Sequence, residues 1–231
     1  MLPSSPLPTL AMFDLDHTLL DGDGDDLWCR FMLRHGVVDA SLAERNEHMG
    51  AEYRAGRVGA EAFSNFYAQL LAGHTPAHWT PWQDRFLDEV IRARLPLAAR
   101  ALVASHRDAG HTLLLTTASN RVIAERTAKE LGFAHWIATE LELTGGVFSG
   151  RIAGQPNMRE GKLHHLHQWL RAQGLDERVL KQAWFYSDSI NDLPLLASVG
   201  HPVATNPDAA LLQHAHQHHW RVLQVLGGRS T

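Results

Sequence analysis

Short apolar runs alternate with longer stretches of helical periodicity along most of this chain. The runs have the length of buried strands, and several are followed at once by acidic or hydroxyl residues. They predict strands at 10–13, 112–115, 136–138, 183–186 and 202–204, with a tight hairpin turn at 144–147. Helical periodicity predicts helices at 97–109, 120–131, 162–172 and 194–198. This alternation predicts an α/β fold with a doubly wound, mostly parallel sheet, whose sites lie at the carboxyl ends of its strands.

The residues between the first strand and the next α/β unit have helical periodicity instead. Apolar residues recur at helical spacing in three groups: Leu27, Trp28, Phe31 and Met32; Phe63, Phe66, Tyr67, Leu70 and Leu71; Trp79, Trp82, Phe86 and Val90. Thr75 is the predicted N-cap of the third helix, and Pro76 is its predicted first residue. The prediction is a Rossmann-like α/β core domain, residues 1–21 and 95–231, with a helical cap domain, residues 22–94, inserted after the first strand.

Composition excludes several classes of protein. The 231 residues, 45% of them hydrophobic, are enough for a full core and a small second domain, and a net charge of −4 gives no basic face for nucleic acid. Cys29 has no second cysteine with which to form a disulfide, which suits a reducing compartment. No apolar run reaches membrane-helix length, and residues 1–8 are too rich in proline and lack the basic residues of a signal peptide. A cytoplasmic protein is expected.

Four segments carry candidate chemistry. Asp14 and Asp16 follow the first strand, and this spacing lets one carboxylate attack while its neighbour transfers protons. The second strand ends in the hydroxyl residues of 116–119, Lys162 opens a helix, and Asp188 and Asp192 follow the fourth predicted strand. Because these segments all lie at strand ends or in the loops just after them, they are expected to meet at one edge of the sheet.

The order and spacing of these four segments resemble the four motifs of the haloacid dehalogenase superfamily of phosphohydrolases. The resemblance covers the chain from about residue 8 to about residue 222. The helical insert is similar to that of the phosphoserine-phosphatase-like branch. The Gly-Gly-Val-Phe-Ser-Gly-Arg segment before Lys162 and the Pro-Val-Ala-Thr-Asn-Pro segment after the last motif resemble the bacterial type IB hydrolases of that branch.

The resemblance implies a phosphatase with an aspartyl-phosphate intermediate. Asp14 would be the nucleophile, and it needs no base because a carboxylate is already ionised at pH 7. Asp16 would protonate the leaving alkoxide and then deprotonate the water that hydrolyses the intermediate. Lys162 would offset charge on the transition state.

The resemblance also implies Mg²⁺, because several acids facing a phosphate dianion would repel it without a cation. Asp14, the backbone carbonyl of Asp16, and Asp188 would supply hard oxygen ligands. Asp192 would complete the metal shell, either directly or through a bound water.

The remaining implied residues contact the substrate. Thr117 would bind a phosphate oxygen through its hydroxyl and the following amide, that of Ala118, with Thr116 and Ser119 as rival hydroxyls. Asn191 would orient groups at the phosphate. Asp23, nine residues after the nucleophile, matches the acid that reads the amine of phosphoserine.

The substrate is expected to be a small phosphorylated metabolite. The arginine that would read the carboxylate of phosphoserine has no clear counterpart, with Arg54 and Arg57 as candidates by region only, so phosphoserine and histidinol phosphate both stay open. Two other functions use the same residues or fewer: phosphotransfer, as in a phosphomutase, and non-catalytic binding of a phosphorylated ligand. No nucleic-acid or membrane partner is expected, and the protein is expected to be a monomer or homodimer.

Two other clusters have simpler interpretations. The acidic stretch at 21–26 lacks the glycine and glutamate positions of an EF-hand and is interpreted as a hinge into the cap. His214 and His218 have the spacing of a chelating pair on a helix but are interpreted as surface histidines of a helix that runs up to Trp220.

Overall fold

A computed structural model describes residues 8–227. The segment 1–8, which was predicted not to be a signal peptide, lies almost entirely outside the described residues. The strands are β1 Leu10–Phe13, β2 Thr112–Asn120, β3 His135–Thr139, β4 Leu141–Thr144, β5 Val147–Ile152, β6 Trp184–Ser187, β7 His201–Thr205 and β8 Arg221–Leu223. Six of them form one sheet in the order β3-β2-β1-β6-β7-β8, and every pairing in it is parallel. β4 and β5 form a separate antiparallel pair.

Helices cover both faces of the large sheet. They are α1 Gly24–Arg34, α2 Leu42–Arg54, α3 Ala60–Gln69, α4 Pro76–Phe86, α5 Leu97–Asp108, α6 Arg121–Glu130, α7 Glu160–Ala172, α8 Leu193–Leu196 and α9 Ala209–Gln217. α4 continues into a π-helical turn, Leu87–Ile91, and a 3₁₀ turn, Arg92–Arg94. The predicted fold class is confirmed: a parallel sheet between helices, with helical structure inserted after the first strand.

The central position of β1 explains its composition. All four of its residues are apolar and buried, as expected of a parallel strand covered by helices on both faces. Ala11 and Phe13 face the apolar cluster that includes residues of α1, α5 and α6, whereas Leu10 and Met12 face the cluster built with α7, α8 and α9. Phe13 is in register with Leu115 on β2 and with Tyr186 on β6, so β1 and β6 end nearly level while β2 continues to Asn120.

The insert between β1 and α5 is helical, and the division into core and cap domains stays a prediction. Thr75 caps α4 as predicted, its side chain accepting from the amide of His78. α3 ends at Gln69, so Leu70 and Leu71 lie in the turn that follows rather than on the helix. α2 has no apolar periodicity to reveal it, because Leu42 and Asn46 are its only buried residues.

Two further boundaries differ from the predictions. β2 runs on to Asn120, whose side chain caps α6, so the hydroxyl residues belong to the strand rather than to a loop. The last helix ends at Gln217 instead of reaching Trp220, and the chain then forms the short edge strand β8. Three residues, all at least partly exposed, leave too weak a pattern for a strand to be recognised in advance. The predicted hairpin is present, with Thr144 paired to Val147.

None of the helices within residues 8–227 combines the length and the apolar character needed to cross a membrane.

Candidate active site

Asp14 lies at the tip of β1 and is fixed through three contacts. Its amide donates to the carbonyl of Tyr186 on the neighbouring strand (2.9 Å), which extends the β1–β6 pairing by one residue. Its Oδ1 accepts from Lys162 Nζ at 2.6 Å, and its Oδ2 accepts from Thr18 Oγ1 at 3.0 Å. Asp14 as a whole residue is 5% exposed. It therefore has one orientation, held from both sides.

Lys162 is shared between two carboxylates. Its Nζ lies 2.6 Å from Asp14 Oδ1 and 2.6 Å from Asp192 Oδ2, and all three side chains are buried. The same Asp192 oxygen accepts from Ser187 Oγ at 2.7 Å. Lys162 lies in the first turn of α7. In this structure Asp192 thus positions the lysine.

The charges of this cluster are coupled. Burial raises the pKa of Asp14 from 3.8 to about 6, although the lysine opposes the rise. Burial by itself would lower the pKa of Lys162, but the Asp14 and Asp192 carboxylates outweigh it and raise that pKa. The lysine is therefore a permanent cation beside the candidate nucleophile, where it can oppose negative charge that develops on a bound phosphoryl group.

Asp16 points toward the insert and the end of β2. Its Oδ1 accepts from the amide of Gly24 (2.8 Å), and its Oδ2 accepts from Ser119 Oγ (2.7 Å) and Thr117 Oγ1 (3.3 Å). Burial, followed by the charges of Asp23 and Asp14, raises the pKa of Asp16 to about 8. A carboxyl group with such a pKa carries a proton at neutral pH and is suited to donate it.

The three rival hydroxyls of the β2 terminus point in different directions. Thr117 and Ser119 both face Asp16, and the amide of Ser119 donates to Thr117 Oγ1 (3.2 Å). Thr116 instead accepts from Asn157 Nδ2 at 3.1 Å. The carbonyl of Ala118 accepts from Thr139 Oγ1 at 2.7 Å, which holds the strand end against β3.

Asp188 lies beside Asp14 in the loop after β6. Thr18 connects the two, because its Oγ1 accepts from the Asp188 amide (3.0 Å) while it donates to Asp14 and lies 3.5 Å from Asp188 Oδ1. Asp208 holds the other side of this loop: its amide donates to the Asp188 carbonyl (2.7 Å) and its Oδ2 accepts from the amide of Ile190 (2.9 Å). Burial and the charges of Asp14 and Asp192 raise the pKa of Asp188 to about 9.

The donor chemistry here fits a hard divalent cation. Asp14, Asp16 and Asp188 offer oxygen atoms alone, and their raised pKa values reflect acids that share a buried region. A cation among them would offset that repulsion. Within residues 8–227, no three acidic, histidine or cysteine side chains already converge as they do in a completed metal centre.

Two of the predicted substrate-contacting residues, Asp23 and Asn191, make contacts within the protein that stabilise local structure. Asp23 is the N-cap of α1, its Oδ1 accepting from the amide of Asp26 at 2.9 Å, and burial raises its pKa. Asn191 lies partly exposed in a 3₁₀ turn, with its amide donating to Ser189 Oγ at 3.2 Å. The acidic stretch at 21–26 thus starts the first helix of the insert beside Asp16.

Two asparagines organise the site and were not identified from the sequence. Asn157 is fully buried, and its Nδ2 donates to the carbonyl of Thr117 (2.9 Å) besides Thr116 Oγ1. Asn206 Nδ2 donates to the carbonyls of His17 (2.9 Å) and Thr18 (3.0 Å), which fixes the loop that carries Asp16. An asparagine in a loop belongs to no periodic pattern that would reveal its burial. The Asn206-Pro207 pair indicates a turn but not the contacts of the Asn206 side chain.

His214 and His218 stack with ring centroids 4.1 Å apart near the end of α9, and His214 also contacts Trp220. The three rings form a cluster at the C-terminal end of α9.

Known proteins match this sequence along most of its length. Residues 11–197 match the haloacid dehalogenase-like hydrolase family. The chain is 36% identical over 219 residues to a histidinol-phosphatase of Neisseria meningitidis serogroup C, which covers 94% of this chain and 99% of that protein. It is 31% identical over 231 residues to the phosphoserine phosphatase SerB1 of Mycobacterium tuberculosis, which covers 95% of this chain and 72% of that protein.

Solved structures agree with the sequence matches. A protein of unknown function from Bordetella pertussis Tohama I superposes with a TM-score of 0.90 at 38% identity, covering 96% of this chain and 100% of that one. A substrate-bound phosphoserine phosphatase has the same fold, with a TM-score of 0.66 at 15% identity over 95% of this chain and 94% of that one. The predicted superfamily and the prediction of a phosphatase are confirmed. The chain belongs to the haloacid dehalogenase-like hydrolase family, and within it the chain is similar to phosphoserine phosphatase.

Proposed function

We propose that this protein hydrolyses a small phosphomonoester through an aspartyl-phosphate formed on Asp14. The observation that carries the proposal is the buried trio of Asp14, Lys162 and Asp192, in which one lysine cation is held 2.6 Å from each carboxylate. Such a cation stabilises the charge of a phosphoryl group during transfer, and a fixed carboxylate beside it is placed to attack. The named activities of the Neisseria and Mycobacterium relatives support the same reaction class.

In the first step a carboxylate oxygen of Asp14 forms a bond to phosphorus, and the bond from phosphorus to the alcohol oxygen breaks. Asp16 gives its proton to that alkoxide. In the second step Asp16 takes a proton from water, the water oxygen attacks phosphorus, and the bond to Asp14 breaks to release phosphate. The raised pKa of Asp16, about 8, supports its role as the acid of the first step.

Mg²⁺ is the proposed cofactor, held by Asp14, the backbone carbonyl of Asp16, and Asp188. When bound it would neutralise phosphate charge that the carboxylates otherwise repel. Asp192 is proposed to join this shell only through water, since its carboxylate already contacts Lys162 and Ser187.

The phosphate oxygens are proposed to contact the end of β2, through the Thr117 hydroxyl and the Ala118 amide, with Ser119 as an equally placed hydroxyl beside Asp16. Asn191 remains a proposed phosphate-side residue. Residues 22–94 are proposed as the cap domain that closes over the leaving group, with Asp23 near its base. Histidinol phosphate and phosphoserine are the proposed substrates to test, because relatives carry those two names.

The test is phosphate release with Mg²⁺ from phosphoserine, histidinol phosphate and phenyl phosphate, using the wild type beside Asp14→Asn. Replacing the nucleophile is expected to lower kcat by at least about 1000-fold, and EDTA is expected to abolish turnover. Asp208→Asn, which alters a nearby acid that supports a loop, is the matched comparison and is expected to retain far more activity. Equal activity in Asp14→Asn would contradict the mechanism, and release only with an added alcohol acceptor would identify phosphotransfer.

A further inference from the structure

Ser119 carries a buried hydroxyl that donates to the proposed acid, Asp16. Only 1% of Ser119 is exposed, and its Oγ lies 2.7 Å from Asp16 Oδ2. Thr117 Oγ1 lies farther from the same oxygen, at 3.3 Å, and itself accepts from the Ser119 amide at 3.2 Å. A separation of 2.7 Å is the usual length for a hydroxyl donor, whereas 3.3 Å is long. Ser119 is therefore the hydroxyl that holds Asp16, and Thr117 is the one that a phosphate oxygen can displace.

The other oxygen of Asp16 is held by the backbone of the insert. The amide of Gly24, the first residue of α1, donates to Asp16 Oδ1 at 2.8 Å. A Cβ atom on residue 24 would lie 3.0 Å from that oxygen, 3.1 Å from Ile123 Cγ2 and 3.2 Å from Ser119 Oγ. These separations are shorter than ordinary van der Waals contacts, so the lack of a side chain on Gly24 is what lets its backbone approach Asp16 and Ser119 together.

These two donors fix the carboxyl group and leave it able to carry a proton. One donor on each oxygen opposes rotation of the group about the Cβ–Cγ bond of Asp16. Each carboxyl oxygen has two lone pairs, so an oxygen that accepts one hydrogen bond can still carry the proton. Asp16 is partly exposed, whereas Ser119 and Gly24 are buried. Buried donors thus hold a residue that keeps accessible surface for a leaving alcohol.

The nucleophile has a separate set of donors. The carboxylate of Asp14 accepts from Lys162 and Thr18, whereas that of Asp16 accepts from Gly24 and the hydroxyls of the β2 terminus. A change at Ser119 or Gly24 therefore leaves the donors of Asp14 in place. Attack and proton transfer, the two parts of the proposed first step, are supported by different residues and can be tested separately.

We infer that Ser119 is a positioning residue, which together with the Gly24 amide holds Asp16 in the orientation that proton transfer requires. The inference rests on the proposed function. As Asp14 bonds to phosphorus and the bond from phosphorus to the alcohol oxygen breaks, the proton of Asp16 passes to that oxygen. Proton donation matters most when the leaving alkoxide is a strong base. A misplaced acid should therefore slow the esters of basic alkoxides and spare an ester whose alcohol leaves readily as an anion.

The test measures alcohol release in a single turnover, with Mg²⁺ and with enzyme in excess, so that only the first step is observed. The esters are p-nitrophenyl, phenyl and benzyl phosphate, which have similar shapes and leaving groups of increasing basicity. We expect Ser119→Ala to slow benzyl phosphate about 10- to 100-fold, phenyl phosphate less, and p-nitrophenyl phosphate by no more than about threefold. Gly24→Ala, which keeps every donor but crowds Asp16, should give the same order.

Ser198→Ala is the matched control, because it removes a partly buried hydroxyl that donates to the Leu195 carbonyl, and it should slow none of the esters. Inhibition by inorganic phosphate should be equal in Ser119→Ala and the wild type, since the inference gives Ser119 no contact with phosphate. Urea unfolding shows whether each variant is folded. If Ser119→Ala does not fold, the order of the three esters in Gly24→Ala decides.

An even loss on all three esters, or an unchanged rate on benzyl phosphate, would overturn the inference. An even loss together with weaker inhibition by phosphate would instead identify Ser119 as a phosphate contact. Both results leave the proposed function standing, because the wild type still releases alcohol. If the wild type releases no alcohol from any ester, the proposed function is contradicted and the inference falls with it.

Discussion

The sheet side and the insert side of the candidate active site are held in different ways. On the sheet side, Asp14 and Lys162 are buried. Both carboxylate oxygens of Asp14 and Oδ2 of Asp192 accept hydrogen bonds from side-chain donors. On the insert side, the ring of Tyr53 contacts the Arg159 guanidinium, and the hydroxyl of Ser64 contacts the sulfur of Met158. The sheet side is thus preorganised by ion pairs and hydrogen bonds, whereas the insert meets the segment before Lys162 through ring and sulfur contacts.

The two sides are suited to different tasks, phosphoryl transfer and recognition of the leaving alcohol. Phosphoryl transfer needs charge fixed in place before the reaction, because reorganisation at the transition state slows it. Recognition of the leaving alcohol instead needs groups that the protein itself does not satisfy, because a bound ligand then fills them.

The largest test of the preorganised side is Lys162→Met. Removing the cation leaves Asp14 and Asp192 buried without compensation, so we expect a loss of about 3–5 kcal/mol in unfolding free energy at pH 7. We also expect kcat to fall at least about 1000-fold. Urea unfolding and phosphate release measure the two effects. Lys129→Met removes a lysine from an exposed ion pair and should change neither by much. A fully active Lys162→Met would show that the two sides do not differ as described.

The next test concerns Asn157, which joins the sheet side to the segment of Arg159. Asn157→Ala leaves the Thr117 carbonyl without its donor and should cost about 1–3 kcal/mol in stability, with kcat/KM about 10-fold lower. Asn46→Ala removes a buried amide of the insert that binds Asp26 and Tyr67, and is the matched control. Both variants should lose stability, but only Asn157→Ala should lose activity. Equal losses of activity would mean that general loosening, not this connection, matters.

A pH test examines the support beneath the sheet side. His106 lies 2.6 Å from the hydroxyl of Tyr186, whose carbonyl holds Asp14, and burial followed by the charge of His111 lowers the pKa of His106 from 6.5 to about 4. The unfolded chain therefore binds a proton between about pH 6.5 and pH 4 that the folded protein does not. Stability should fall as pH drops through this window, by up to about 2 kcal/mol from this group.

His106→Gln cannot titrate there, so its unfolding free energy should change less than that of the wild type between pH 7.5 and pH 4.5. Urea titrations at both values measure the difference. Identical pH dependence in the two proteins would show that His106 is not held neutral.

The smallest test addresses the insert side through Asp23→Asn. Asparagine is as good a helix N-cap as aspartate, so α1 should be unaffected. If the carboxylate reads an amine, KM for phosphoethanolamine should rise about 5-fold while that for phenyl phosphate stays constant. Asp39→Asn alters another acid, one that accepts from the amide of Ser41, and serves as the control. An unchanged KM for the amine would limit Asp23 to its capping role.

The sequence could predict the sheet side because its information is local. An apolar run followed by a polar residue identifies each strand end. Because the strands of a parallel sheet run in the same direction, their carboxyl ends lie at one edge of the sheet. Asp14, Lys162 and Asp188 could thus be predicted as site residues from motif spacing, and the structure connects them through direct contacts and through Thr18. The fold class followed from the same alternation of strands and helices, and one face of α1 was recognised from the spacing of its buried residues.

Only the tertiary structure decided the contacts between distant segments. Asn157 meets Thr117 across 40 positions and Met158 meets Ser64 across 94, and no local pattern encodes such pairs. The same holds for which hydroxyl of the β2 terminus faces Asp16, and for Asp192 contacting Lys162. Periodicity reports which side of an element is buried, whereas the partner of an individual polar atom depends on how the elements pack. That is why the sequence could predict candidate residues for the phosphate end, whereas only the folded chain shows that Tyr53 contacts Arg159.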